Sequence, residues 1–410
     1  MREFDVVVFG ATSFVGRILC RYLIDTYGTD GSRLRFALAA RSAARLDELK
    51  HELGGSASSL PSIVADAADE NAMRALALRA KVVVSTVGPY ALYGEPLVKA
   101  CVETGTDYCD LTGEVQWIRR MVDRYESAAK SSGARIVHCC GFDSIPSDFG
   151  VFFLQQESRR RYGRPASHVK MRVRAMRGGF SGGTAASLLN VAKEVRGNPA
   201  LRKELANPYS LCVGVSGGAN VRQPNVSSAV FDPDFKAFVA PFVMAAINTR
   251  IVHRSNALSG YAYTRNFRYD EAVSMGKGVK GRLAAMSSAF GLGLFMLASA
   301  FAPTRGLLER FVLPKPGEGP SPEAQARGFF DLRFLGRTDD GRVIRAKVTG
   351  DRDPGYGSTA KMLGEAAACL AFDVSKSECA GGFWTPSTIF GDRLLSRLTS
   401  RAGLTFEALD

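Results

Sequence analysis

The chain has 410 residues, 46% hydrophobic and 23% charged, an ordinary globular composition that excludes disordered, collagen-like and coiled-coil chains and, at about twice the usual domain size, a small stapled scaffold. The formal charge of +13 is unevenly placed, with −2 on residues 1–150 and +15 on residues 151–410. A basic second half suits an anionic membrane surface or acidic groups on a substrate or carrier, and with no nucleic-acid motif beside it, nucleic acid is not an expected partner.

Residues 5–10 (DVVVFG) form a short apolar, β-branched run of the kind buried on both faces of a parallel sheet. Gly10 and Gly16 bracket a turn, and residues 17–27 then repeat apolar side chains at helical spacing. Strand, glycine turn and helix in this order make a dinucleotide cradle, because a pyrophosphate sits on the free amides and positive end of the first helix. Gly10, Thr12, Ser13, Phe14 and Gly16 are the candidate contacts. Ser13 holds a position where glycine is usual, so a hydroxymethyl group stands where phosphate approaches; it is small and can donate to phosphate.

A second strand at residues 34–40 ends in Arg41 and Ser42. A carboxylate here would bind the ribose hydroxyls of NAD, whereas a guanidinium accommodates a 2′-phosphate, so the expected cofactor is NADP(H). The next strand-like runs, at residues 62–65, 81–87 and 135–140, end at Asp66, a candidate adenine contact, at Thr86, Gly88, Pro89 and Tyr90, and at GFDSIPSD with Asp143. Ligands bind beyond the carboxyl ends of such strands, so these turns are expected to line the crevice. Asp110 and Glu114 read either as general acids or as caps of a helix over residues 116–130.

Past residue 151 the pattern shifts to shorter strands, at residues 169–176, 329–335 and 342–349, the last two joined by an Asp339-Asp340-Gly341 turn as a hairpin. A glycine-rich loop over residues 177–190 offers Ser181 and Thr184 near a helix start, either as ligand contacts or as a hinge and cap. Residues 283–302 carry no charge over 20 residues, with Lys277, Lys280, Arg282 and Arg305 around them. Three readings stay open: a helix packed in the second domain or a homodimer interface, one resting peripherally on a membrane or acyl chain, and one inserted in a bilayer. Prolines 314, 316, 320 and 322 mark a surface loop. Eight cysteines without a CxxC pair and four histidines away from ligand spacing predict no metal and a reduced, cytoplasmic compartment; Glu3 and Asp5 interrupt any secretory pattern.

The ordered set GATSFVG, AARS, VVVSTVGPYALYGEPLVKAC, TDYCDLTGE, CCGFDSIPSD, DRDPGYGSTAKMLGEAA and GGFWTPSTIFGDRLLSRL resembles the saccharopine dehydrogenase-like family of oxidoreductases, within it the branch of trans-acting enoyl reductases of lipid synthesis. The resemblance implies an α/β fold: an N-terminal Rossmann-type doubly wound parallel sheet over residues 1–150, a mixed α/β domain over residues 151–350, and a C-terminal segment, residues 351–410, returning to the first. It also implies cofactor contacts at Gly10, Ser13, Gly16, Arg41 and the Gly88-Pro89-Tyr90 turn, with Ser13 a departure from the family's glycine. The function it implies is NADPH-dependent reduction of a carbon–carbon double bond on a lipid-like acyl substrate carried by a separate synthase. Tyr90, Tyr93 and Asp143 are the candidate proton donors, since reduction of a conjugated alkene needs a proton source. The alternatives are an imine or amino-acid oxidoreductase, using Arg172, Arg174 and Arg177 for small carboxylates, and a non-catalytic cofactor-binding protein of lipid surfaces.

Overall fold

The computed structural model describes residues 2–179, 182–215, 221–311 and 318–410. The strands in chain order are β1 (Phe4–Phe9), β2 (Phe36–Ala40), β3 (Ser62–Val64), β4 (Ala80–Ser85), β5 (Asp107–Asp110), β6 (Arg135–Val137) and β7 (His168–Arg177). They continue with β8 (Val230–Asp232), β9 (Ala237–Pro241), β10 (Arg268–Gly276), β11 (Phe329–Arg337), β12 (Val343–Gly350), β13 (Gly382–Trp384) and β14 (Leu404–Leu409).

The first sheet has the order β13-β6-β5-β4-β1-β2-β3 with every neighbour parallel. Side-chain alternation along β1 shows why its sequence is continuously apolar. Val6 and Val8 enter the core shared with the Phe14–Tyr27 and Thr359–Phe372 helices, while Phe4, Val7 and Phe9 enter the core beneath the Glu70–Arg79, Glu95–Thr104 and Val115–Ser132 helices. The strand order reverses between β1 and β4, so the loops leaving those two strands face each other across a crevice.

The second sheet, β14-β12-β11-β7-β10-β9-β8, is antiparallel except for the β7–β10 pair. Its inner face, with Met171, Val173, Tyr269, Phe330 and Phe334, packs on the Ile145–Tyr162 helix; a Cβ at Gly150 would lie 2.2 Å from the Phe334 ring. The predicted hairpin is present, β11 and β12 pairing across a turn whose Gly341 has φ +87°. On the outer face Arg172 is buried, with Asp232 at 2.7 Å and Asp270 at 2.6 Å. Its charge is therefore spent inside the sheet and is not available to a substrate carboxylate; Arg174 lies 3.6 Å from Asp331 and Arg177 is exposed.

After residue 350 the chain serves both sheets. The Thr359–Phe372 helix packs on the Phe14–Tyr27 helix, where Gly364 admits the Tyr22 ring, β13 extends the first sheet beyond β6, and β14 closes the edge of the second beside β12. Buried Glu365 ties these segments: it accepts from Tyr22 Oη at 2.8 Å, Tyr27 Oη at 2.7 Å and Arg397 Nη1 at 3.0 Å.

The charge-free stretch forms the Gly278–Ala300 helix, but packing within the second domain covers only a narrow stripe of it, 11% of its most apolar window. Ser181, Pro314 and Pro316 lie outside the described residues, as does the Thr184 side chain; Pro322 opens the short Pro322–Ala326 helix.

Removing the buried acceptor strands two tyrosine hydroxyls and part of a guanidinium, so Glu365→Ala is expected to cost about 3–5 kcal/mol in urea unfolding, with loss under about 1 kcal/mol counting against the network.

Candidate active site

The site begins at the strand-order reversal, where β1 ends in Gly10. Its φ is +87°, and a Cβ would lie 2.7 Å from both Thr86 Oγ1 and Val87 Cγ2, so conformation and space both demand glycine. Gly16 is required by proximity alone, since a Cβ there would fall 2.1 Å from the Gly10 carbonyl oxygen. Ser13 has ordinary extended angles, φ −70° and ψ 164°, and is the N-cap of the Phe14–Tyr27 helix, its Oγ accepting from Gly16 N at 3.0 Å. Thr86 Oγ1 donates to the Gly10 carbonyl at 2.9 Å and lies 2.9 Å from Ser13 Oγ. Thr86 has one proton and spends it on the carbonyl, so Ser13 donates to Thr86.

The Ser13 hydroxyl is thus turned inward and fully used. It neither plugs the crevice nor remains free to bind phosphate, which corrects the expectation of direct donation. The amides of Phe14 and Val15, in the first helical turn, have no helical carbonyl to bond and are the donors an anion would meet. Phe14 contributes through its backbone only: its ring meets Tyr356 edge-on at 5.1 Å and leaves room above it only for Gly319.

Arg41 follows β2, is exposed, and makes no hydrogen bond or ion pair among the described residues. Ser42 caps the Ala43–Leu53 helix through Arg45 N at 3.3 Å, a structural role for a predicted cofactor contact. Asp66 is exposed after β3, one carboxylate oxygen accepting from Ala68 N at 3.0 Å, which fixes its own turn. The glycine turn, free first-turn amides and unpaired guanidinium fit a phosphorylated dinucleotide.

Beyond β4, Thr86, Gly88 and Pro89 edge the crevice, but Tyr90 turns inward. Its hydroxyl donates to the Ser85 carbonyl at 2.9 Å and accepts from Leu111 N at 3.2 Å, its ring lies beside Trp117, and burial pushes its phenol well above the usual range. Tyr90 is a pillar of the site and not a proton donor. Tyr93 is 48% exposed at the rim. Glu114 is the N-cap residue of the Val115–Ser132 helix, but its side chain does not cap that helix: it crosses to accept from Tyr90 N at 2.8 Å and Ala91 N at 3.1 Å, with burial raising its carboxyl. Ser187, on the Gly182–Arg196 helix, donates to Glu114 at 3.1 Å and brings the second domain to the crevice.

Two aspartates diverge in environment. Asp110 is buried and accepts from Tyr108 Oη at 3.0 Å and from the Thr112 and Cys139 amides at 3.1 and 3.2 Å, with His138 Nδ1 at 2.7 Å. Asp143 is partly exposed beside Gly113 and Gly141, whose missing side chains leave room at both carboxylate oxygens. Desolvation, and then the Asp110 charge, push its carboxyl up to about 7. It is the predicted donor whose surroundings keep a proton near neutrality.

Sequence reasoning assigned no site role to the Asp353–Thr359 turn. Asp353 accepts from Tyr356 N at 3.0 Å and Gly357 N at 2.8 Å, Thr359 Oγ1 accepts from Phe142 N at 2.9 Å, and Tyr356 reaches Phe14. The DPGYGST composition shows a turn, but its position over the glycine loop depends on contacts more than 300 residues apart in sequence.

The description "Saccharopine dehydrogenase NADP binding domain" matches residues 6–137, which hold the glycine turn, Arg41 and the β4 and β5 loops. The chain is 41% identical over 414 residues to a provisionally named trans-acting enoyl reductase of Mycobacterium tuberculosis, covering 99% of this chain and 97% of that one. It is 39% identical over 409 residues to the trans-acting enoyl reductase of Mycobacterium bovis, covering 97% and 96%. In fold it is similar to apo saccharopine dehydrogenase (L-Glu forming) of Saccharomyces cerevisiae, with a TM-score of 0.53, 12% identity and coverage of 99% and 100%.

With Arg41 an unpaired cation beyond β2 among the described residues, Arg41→Asp is expected to weaken NADPH about 10- to 100-fold in calorimetric titration and to leave NADH within about threefold. Equal losses for both nucleotides would remove Arg41 from 2′-phosphate recognition.

Proposed function

Because the chain belongs to the trans-acting enoyl reductase family of saccharopine dehydrogenase-like oxidoreductases, and is an NADP(H)-dependent, enoyl reductase-like enzyme, we propose that it saturates the conjugated double bond of a lipid-like acyl chain held by a separate synthase. Bound NADPH supplies hydride to the β-carbon of such a substrate. The chain supplies the rest. The first-turn amides and Arg41 hold the anionic parts of the cofactor, Ser13 and Thr86 keep the two facing loops at fixed separation, and the β4 to β6 loops line the reacting end. As charge gathers on the substrate carbonyl, the α-carbon takes a proton, and Asp143 is the group positioned to give it. Its partial exposure lets solvent return the proton after each turnover. Tyr93, with no side-chain hydrogen bond among the described residues, is assigned to apolar lining at the rim.

What supports this assignment is the place of Asp143, partly exposed in the loop beyond β6 with Gly113 and Gly141 leaving room at its two carboxylate oxygens, together with the desolvation that raises its carboxyl. An amino-acid or imine substrate calls for free cations around a small carboxylate, and Arg172, the most enclosed candidate, is already paired with Asp232 and Asp270. Following the absorbance of reduced nicotinamide with an enoyl thioester, and separately with a 2-oxo acid plus amine, tests the two chemistries; turnover of the second alone would overturn the enoyl assignment.

The direction of the Asp143 shift sets a pH profile. A donor must be protonated, and the raised carboxyl keeps its proton below about 7 and loses it above, so kcat/KM is expected to fall as pH rises through about 7. Asp143→Asn should lower kcat/KM about 10²- to 10⁴-fold and abolish that descending limb. A variant keeping the parent's limb would assign the proton to another group.

A further inference from the structure

We propose that the Gly278–Ala300 helix is a docking surface for an anionic lipid bilayer, on which it lies flat. At about 100° per residue its side chains separate into two opposed stripes. Gly281, Ala285, Ser288, Leu292, Phe295 and Ser299 form the stripe turned to the protein, and the Gly281 Cβ position lies only 2.3 Å from the Gly276 carbonyl oxygen. On the other side Leu283, Met286, Phe290, Leu294 and Leu297 fall within about 80° of one another, each more than half exposed and Phe290 at 73%. A row of large apolar side chains along a whole helix is more than the scattered exposure of an ordinary soluble surface.

Charge identifies the occupant. Lys280 and Arg282 flank the exposed stripe about 80° to either side, Lys277 precedes it, and none of the three makes an ion pair among the described residues. No Asp or Glu occurs from residue 272 to residue 308. A second copy of this face would bring cations to cations, whereas anionic headgroups match them and the stripe enters the acyl boundary. The protein-facing stripe stays on β9 and β10, which sets the helix in the interface and not across the bilayer. The helix also packs on the Gly182–Arg196 helix, whose Ser187 bonds Glu114, so the crevice stands one helix away from the lipid surface.

The surface is independent of the reductase chemistry, and flotation of the full chain with vesicles separates the two. Vesicles of phosphatidylcholine with phosphatidylglycerol are expected to carry the protein, phosphatidylcholine alone to carry much less, and added salt to release it. Phe290→Glu with Leu294→Glu should lower binding about tenfold or more, and Lys277→Glu with Lys280→Glu and Arg282→Glu should erase the anionic preference. Both variants should keep NADPH binding and turnover of a water-soluble enoyl thioester, which also reports that they fold. Flotation unchanged by the apolar double substitution would overturn the proposal. So would a parent dimer in light scattering that the same substitution converts to monomer, because the stripe would then be a subunit contact.

Discussion

At the end of β1 the backbone turns where no Cβ fits, and the turn is held to the neighbouring strand's loop by two hydroxyls, Ser13 and Thr86. The rest of the site depends on that contact. It joins the loops on either side of the strand-order reversal, fixes the entry of the first helix, and frees that helix's first amides for an anion. Because Ser13 is an N-cap in ordinary angles, the turn does not need glycine at this position, and the departure from the usual fingerprint leaves the cradle intact.

Beyond the cradle, the two aspartates near the ends of β5 and β6 are separated by their environments. Asp110 is surrounded by donors and organises Tyr108, His138 and the Thr112 and Cys139 amides into a rigid floor. Asp143 is desolvated and feels the charge of Asp110, which together outweigh the bond from its own backbone amide, so its proton is held to a higher pH. One carboxylate builds the loop that presents the other. Glu114 does similar work across the crevice, fixing the Tyr90–Tyr93 turn and receiving Ser187 from the second domain.

The second domain divides its polar surface in a comparable way. The outer face of its sheet neutralises itself through pairs such as Arg172 with Asp232 and Lys170 with Asp234. Lys277, Lys280 and Arg282 beside the Gly278–Ala300 helix have no such ion-pair partners among the described residues, so a part of this half's basic excess lies beside an apolar exposed surface.

Composition and pattern alone determined the parallel sheet, the glycine turn, the cation beyond β2 and the β11–β12 hairpin, because each is a local consequence of residue type: buried strands must be apolar, and a positive φ favours glycine. Which polar side chains are free was decided only by tertiary structure. Ser13, Tyr90 and Arg172 have the right chemistry for ligands, yet each is spent on a partner within the fold: Thr86 for Ser13, the Ser85 carbonyl and the Leu111 amide for Tyr90, Asp232 and Asp270 for Arg172. A hydroxyl proton or a buried charge satisfies a limited set of partners, and only packing shows where those partners are.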